Sequence, residues 1–173
     1  MTTTLHDNSI RRDSEPTTYA QYIERLVEDI LSEIEPLSDD LLNQALPIQD
    51  TNTLYAIGTH TVGMGEFWVL SLVGEQVVAR NRSVEFHASG NSAELCARFR
   101  QWVADCHALL DTMPDIIMND FAHPPAEFSL TGGFEEGSMT KRECMLHVVE
   151  HTATHLGHIQ LMRQLLVEGG LRL

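Results

Sequence analysis

Residues 146–160 read LHVVEHTATHLGHIQ and place His147, His151, His155 and His158 within twelve positions. The spacings of three and four are those of side chains stacked on one face of an α-helix. A helix turns by about 100° per residue. With His147 at zero, His158 falls at ~20°, His151 at ~40° and His155 at ~80°. Val148, Ile159, Met162, Leu165 and Leu166 share or border that arc. Glu143, Glu150, Thr154, Gln160 and Gln164 lie on the other side, between ~220° and ~340°. The histidines are therefore expected to look inward, with His155 the most central. Thr140 and Glu143 form a capping-box pattern that opens this helix, and Gly169-Gly170 closes it.

Three more helices precede it. Pro16 suits a first helical turn, and Tyr19, Tyr22, Ile23, Leu26, Val27, Ile30, Leu31 and Ile34 follow as an apolar stripe that ends near Pro36. Ser38 is placed to cap one short turn. A second helix spans about 51–73, with Ala56, Ile57, His60, Met64, Phe67, Trp68 and Ser71 on one side and Gly74 as its stop. Asn91 with Glu94 caps a third, on which Leu95, Phe99, Trp102, Val103, Cys106, Leu109, Leu110 and Met113 repeat. Residues 74–91 lack a strong period, although VVARNRSVEF is compatible with an extended segment. Residues 113–139 are rich in Pro and Gly. Four amphipathic helices without a convincing sheet predict an all-α four-helix bundle over residues 16–170, behind a flexible arm at 1–15. Its connections after helices two and three are long enough to permit a crossover.

The 173 residues suffice for one core, and 43% hydrophobic with 21% charged residues is a globular composition. A net charge of -14, with eleven scattered Lys and Arg, argues against nucleic acid and against a bare membrane surface as partners. The longest apolar run, FWVLSLV, is far short of a membrane span. The N-terminal residues show no apolar secretory core. Cys96, Cys106 and Cys144 form no disulfide framework, which favours a reducing cytoplasm and small buried thiols.

Several buried imidazoles need partners, because an unpaired polar group costs on the order of 1–3 kcal/mol. Hydrogen bonds to neighbours or a shared metal ion would each supply them. His60, on the apolar side of helix two, offers a further ligand to the same interior. Spacing alone leaves the ligand set open, since His147 with His151 and His151 with His155 are both i,i+4 pairs. His158 can coordinate, orient a ligand or face a substrate. Cys144 also faces inward, where core packing is its simpler role. HVVEH matches the inverted zinc-protease pattern H-x-x-E-H, but Glu150 falls on the polar arc. No protein base announces itself. His147, His158 and Glu66 are near in sequence, with Glu66 on the outer side of its helix. His87 and His123 lie in the long connections. Arg82 is available for an anionic group, unless RSVEF is a structural salt-bridge element.

Three segments in order, HTVGMGEFW, RSVEF before SAELCARF, and HVVEHTATHLGHIQLMRQLL, resemble the DinB-like (YfiT-like) four-helix-bundle family, which is distinct from the DNA polymerase of similar name. The resemblance covers roughly residues 17–168. The last segment is similar to the family pattern H-x-x-x-H-x-G-[QH]-I. The resemblance implies a metal site carried over onto His60, His151 and His155, with His147 and His158 outside the coordination sphere. In many members the position of His158 is Gln. It also implies a divalent ion, nickel or zinc first, and a homodimer. Some relatives are transferases or isomerases that use low-molecular-weight thiols; others are described as metal-dependent hydrolases.

Three neutral imidazoles leave a metal its full charge and an open position. Such an ion can hold a thiol as thiolate or draw hydroxide from water. That chemistry does not choose between the two nucleophiles; with the family resemblance, the expected function is a metal-dependent enzyme that activates a small thiol toward a small-molecule substrate, for S-transfer or isomerisation. The alternatives are a hydrolase and a non-catalytic metal-binding bundle.

Overall fold

Ser14 starts the first helix, α1 (Glu15–Ile34): its hydroxyl accepts the Thr17 N–H at 3.2 Å, and Pro16 sits in the first turn. That is where a missing N–H costs no helical bond. The computed structural model describes residues 14–123 and 139–167. Of the expected N-terminal arm, only Ser14 and Glu15 fall within this range, and Gly169-Gly170 lie outside it. On α1, Ile23, Val27, Ile30 and Ile34 are sealed in the core. Each such side chain contributes roughly 1.5–3 kcal/mol of apolar burial before entropy is counted. Tyr22 departs from the expected stripe; it is 49% exposed.

Ser38 caps the short α2 (Asp39–Leu42) through the Leu41 N–H. Helix two of the sequence reading begins slightly later than expected. Thr53 caps α3 (Leu54–Glu66), which passes without a break into a π-helical stretch, Phe67–Val73, before Gly74. From Ala56 to Gly65 all but Thr59 are buried, so α3 is covered on nearly every side rather than being one-sided and amphipathic. The segment 74–91 is not a strand. Residues 77–80 carry no regular structure, and Arg82–Glu85 form one helical turn, α4.

Asn91 accepts the Glu94 N–H at 2.8 Å and opens α5 (Ser92–Leu110), which buries Leu95, Phe99, Trp102, Cys106 and Leu110. A 3₁₀ turn follows at Asp115–Asn119. The last helix, α6 (Lys141–Val167), starts with a reciprocal capping box. The Glu143 carboxylate accepts the Thr140 N–H at 2.7 Å, and the Thr140 hydroxyl accepts the Glu143 N–H at 3.3 Å. An isolated bridge joins Phe121 to Thr140; among the described residues there is no strand.

The main packing pairs are α1 with α5 and α6, and α3 with the same two helices. The bundle is thus a square in which α1 faces α3 across one diagonal and α5 faces α6 across the other, a chain order other than plain up-down succession. On α6 the core face runs through Cys144, Met145, Val148, Thr152, Leu156, Ile159 and Met162. The expectation that the histidines, with His155 at their centre, hold the middle of that face is corrected. They border it on the side of α3: His147, His151 and His155 are half-buried and His158 is exposed. Imidazoles at the border keep partial access to solvent, which the apolar middle of the seam denies.

Candidate metal centre

His60 leaves the middle of α3 only 4% exposed. Its Nε2 lies 3.2 Å from His151 Nε2, and His155 Nε2 lies 2.9 Å from that same His151 atom. The ligand atoms of the three residues all fall within 4.8 Å of one another. Two turns of one helix and one turn of its neighbour converge there because i,i+4 side chains on α6 lie one above the other toward α3.

The proton inventory tests whether these residues suit a cation. Burial alone would raise the Glu85 carboxyl. Its hydrogen bonds with His60 and Arg80 outweigh that and hold it at about 2. Glu85 is therefore a carboxylate, and its Oε2, 2.8 Å from His60 Nδ1, accepts the proton on that nitrogen. The Nε2 of a neutral His60 is then a bare lone pair. His151 is lowered to about 4, by burial first and then by unfavourable electrostatic interaction with His60, His147, Arg80 and Arg82. His155 is lowered to about 4 by burial and then by His151, His60 and His158. Both are neutral at neutral pH. One proton on His151 Nε2 can satisfy one of its two close neighbours and not the other. A shared cation accepts all three lone pairs. On a tetrahedral ion with bonds of ~2.0–2.1 Å, neighbouring nitrogens stand roughly 3.3–3.4 Å apart, so the 3.2 and 2.9 Å spacings at His151 need to open by only a few tenths.

A supporting layer surrounds this core. Arg80 grips Glu85 with two hydrogen bonds of 2.7 and 2.9 Å. The Phe86 ring stacks on His60 at 4.4 Å between centroids. His158 Nδ1 comes to 3.3 Å from His155 Nδ1. His147 packs its ring 4.2 Å from Trp68 and 5.3 Å from His151, and burial lowers its pKa. The two histidines set aside from coordination by the family resemblance thus flank the cluster.

The profile of the DinB superfamily matches residues 22–159. The chain belongs to the DinB superfamily. Two solved structures share the fold of this DinB superfamily protein. One is a conserved protein from Enterococcus faecalis (TM-score 0.65, 12% identity, 90% of this chain and 98% of that one). The other is a DinB-like protein from Bacillus cereus ATCC 10987 (TM-score 0.65, 15% identity, 86% of this chain and 90% of that one). At these identities the likeness concerns the fold alone. A comparison with curated proteins finds no match.

The remaining candidates do not join the cluster. Glu66 is held by Arg98 at 3.0 and 2.6 Å, so its carboxylate is committed to α5 and not to the site. Glu150 is exposed, and the inverted-protease arrangement does not form. Cys144 is buried, and burial pushes its thiol up to about 12, consistent with core packing. His87 and His123 are exposed. In RSVEF the salt bridge exists, but its arginine is Arg80, outside the motif. Arg82 lies over the Phe86 ring, 5.4 Å from its centroid. Sequence reasoning missed Glu85. A signal was present: a buried histidine ligand needs an acceptor on its second nitrogen, and RSVEF offers a carboxylate beside an aromatic ring. Among the described residues no helix is long and apolar enough to cross a membrane.

Proposed function

We propose that this DinB superfamily protein binds one divalent cation, zinc or nickel, through Nε2 of His60, His151 and His155. We further propose that it acts as a metal-dependent enzyme that activates a small thiol for S-transfer or isomerisation. A small molecule is its substrate and a homodimer its assembly, as the family resemblance implies. The observation that carries the reading is the convergence of three imidazole nitrogens whose protons cannot satisfy one another, with Glu85 fixing the tautomer of His60.

A divalent ion held there supplies positive charge that lowers the pKa of a coordinated thiol or water. The chain's own residues prepare that position. Burial keeps His151 and His155 neutral, so their lone pairs stay available at neutral pH. Arg80 and Glu85 lock His60 from behind, and Phe86 covers one face of its ring. His158 meets the second nitrogen of His155 and restricts its rotation. The choice of a thiol over water follows the family resemblance.

Elemental analysis of untagged protein tests the first part. One equivalent of metal is expected, with a sharp loss in each of His60→Ala, His151→Ala and His155→Ala and none in His87→Ala. Metal-reconstituted protein assayed against electrophiles, with and without a panel of small thiols, tests the second. Turnover that depends on thiol concentration is expected; turnover in water alone favours the hydrolase instead.

A further inference from the structure

The turn that delivers Glu85 and Phe86 to His60 also carries a cation that the metal reading leaves unused. Arg82 opens α4, is exposed, and has its guanidinium 5.4 Å from the centroid of the Phe86 ring. That ring is the one stacked on His60. In a chain with 25 acidic residues, arginines rarely go without a carboxylate. Arg80, Arg98, Arg100, Arg142 and Arg163 each meet one. Among the described residues, Arg82 meets none and rests on an aromatic ring; Arg25, over Tyr22 on α1, is the other such case and lies on a different element. Arg82, Phe86 and His60 thus form a chain of contacts that ends at the cluster.

Stacking on a ring leaves the N–H edge of a guanidinium free, and that edge matches a carboxylate with two parallel hydrogen bonds. The long stem lets the head move across Phe86 toward the histidines. Elsewhere the protein's negative charge repels small anions, so an unpaired guanidinium beside the site is a local reversal of sign. Glu85 does not cancel it, because that carboxylate is already spent on Arg80 and His60.

We infer that Arg82 is a specificity-determining residue of this site, and that the thiol it takes carries a carboxylate which pairs with the Arg82 guanidinium beside Phe86. The inference deepens the metal-and-thiol reading above and rests on it. The thiol sulfur goes to the histidine cluster and its acidic group to Arg82. A neutral thiol of the same size lacks the second anchor.

The test compares N-acetylcysteine with its uncharged amide, titrated into zinc-loaded protein by calorimetry. The acid is expected to bind about fivefold more tightly than the amide, the size of a well-placed exposed ion pair. Arg82→Gln brings that ratio to about one while zinc content stays at the wild-type level. Arg82→Lys keeps part of the preference, as a point charge without the fork. Raised salt shrinks the wild-type ratio. Equal affinities in the wild type, or a preference that survives in Arg82→Gln, overturn the inference and leave the metal reading standing. Failure to bind zinc overturns the metal reading instead. The role of Arg82 is then decided on zinc-free protein by the Nε–H resonance of its side chain. That resonance shifts with the acid and not with the amide if the assignment is right, and with neither or both if it is wrong.

Discussion

Nδ1 of His60 and a carboxylate oxygen of Glu85 meet at 2.8 Å across 25 positions of sequence, with side chains only 5% and 7% exposed. A carboxylate in that place fixes the tautomer and the ring angle and makes the far nitrogen a better donor to a metal. Glu85→Gln replaces the charge with an amide of the same shape. Metal affinity is expected to fall by about 10–100-fold, read by competition with a chelator of known strength. Unchanged affinity would reduce Glu85 to a partner for Arg80.

Gly63 provides the space for that carboxylate. A Cβ added there would lie 2.7 Å from Glu85 Oε1 and 3.4 Å from Arg98 Nη2. Gly63→Ala must push Glu85 back from α3 and so away from His60. It is expected to weaken metal binding in the same direction as Glu85→Gln. Because both changes act through one contact, the double variant loses less than the two single losses combined. Additive losses would show that Gly63 acts by another route.

The legibility of this molecule follows from where its information is local. Capping residues Ser38, Asn91 and Thr140 announced their helices because each cap is closed within three positions of sequence. His60, His151 and His155 were readable as inward candidates from the 3.6-residue period, and the choice among i,i+4 pairs came from the family resemblance. The middle of the α6 seam was misjudged because Thr152 and Leu156 are spaced like the histidines and only the position of α3 distinguishes the two arcs. Glu85 was hidden for the opposite reason. Its role depends on a contact 25 residues away from a turn too short to show a period. The π-helical stretch likewise has no local signature in FWVLSLV; it is a packing outcome.

Gly65 faces Trp102, whose indole is sealed in the core between α5 and α3. A Cβ at residue 65 would stand 2.0 Å from Trp102 Cζ2, and a rigid buried ring cannot yield as a flexible chain end does. Gly65→Ala is expected to cost about 1–3 kcal/mol as overpacking, seen as a lower urea midpoint. Trp102→Phe removes the clashing part of the ring, so combining it with Gly65→Ala is expected to recover part of the loss. No recovery would place the cost in the helix backbone.

His107 tests the electrostatics of the α1–α5 contact. Its Nδ1 is 3.0 Å from Asp111 and its Nε2 3.3 Å from Glu24 on α1. Burial alone would lower its pKa, but the two carboxylates outweigh that and raise it. A raised value means that the folded protein holds the proton more tightly than the unfolded chain does. The stabilisation is therefore complete below the unfolded value of ~6.5 and disappears as pH climbs through the folded one. All three side chains are partly exposed, so solvent screening limits the effect to at most about 1 kcal/mol. Urea unfolding of wild type and His107→Gln is expected to show a gap at pH 6 that closes by about pH 9, and that narrows in high salt at pH 6. Below about pH 4 the gap closes again, as the partner carboxylates take up protons. A gap of constant size from pH 6 to 9 would assign the residue's contribution to the packing of its ring and not to its charge.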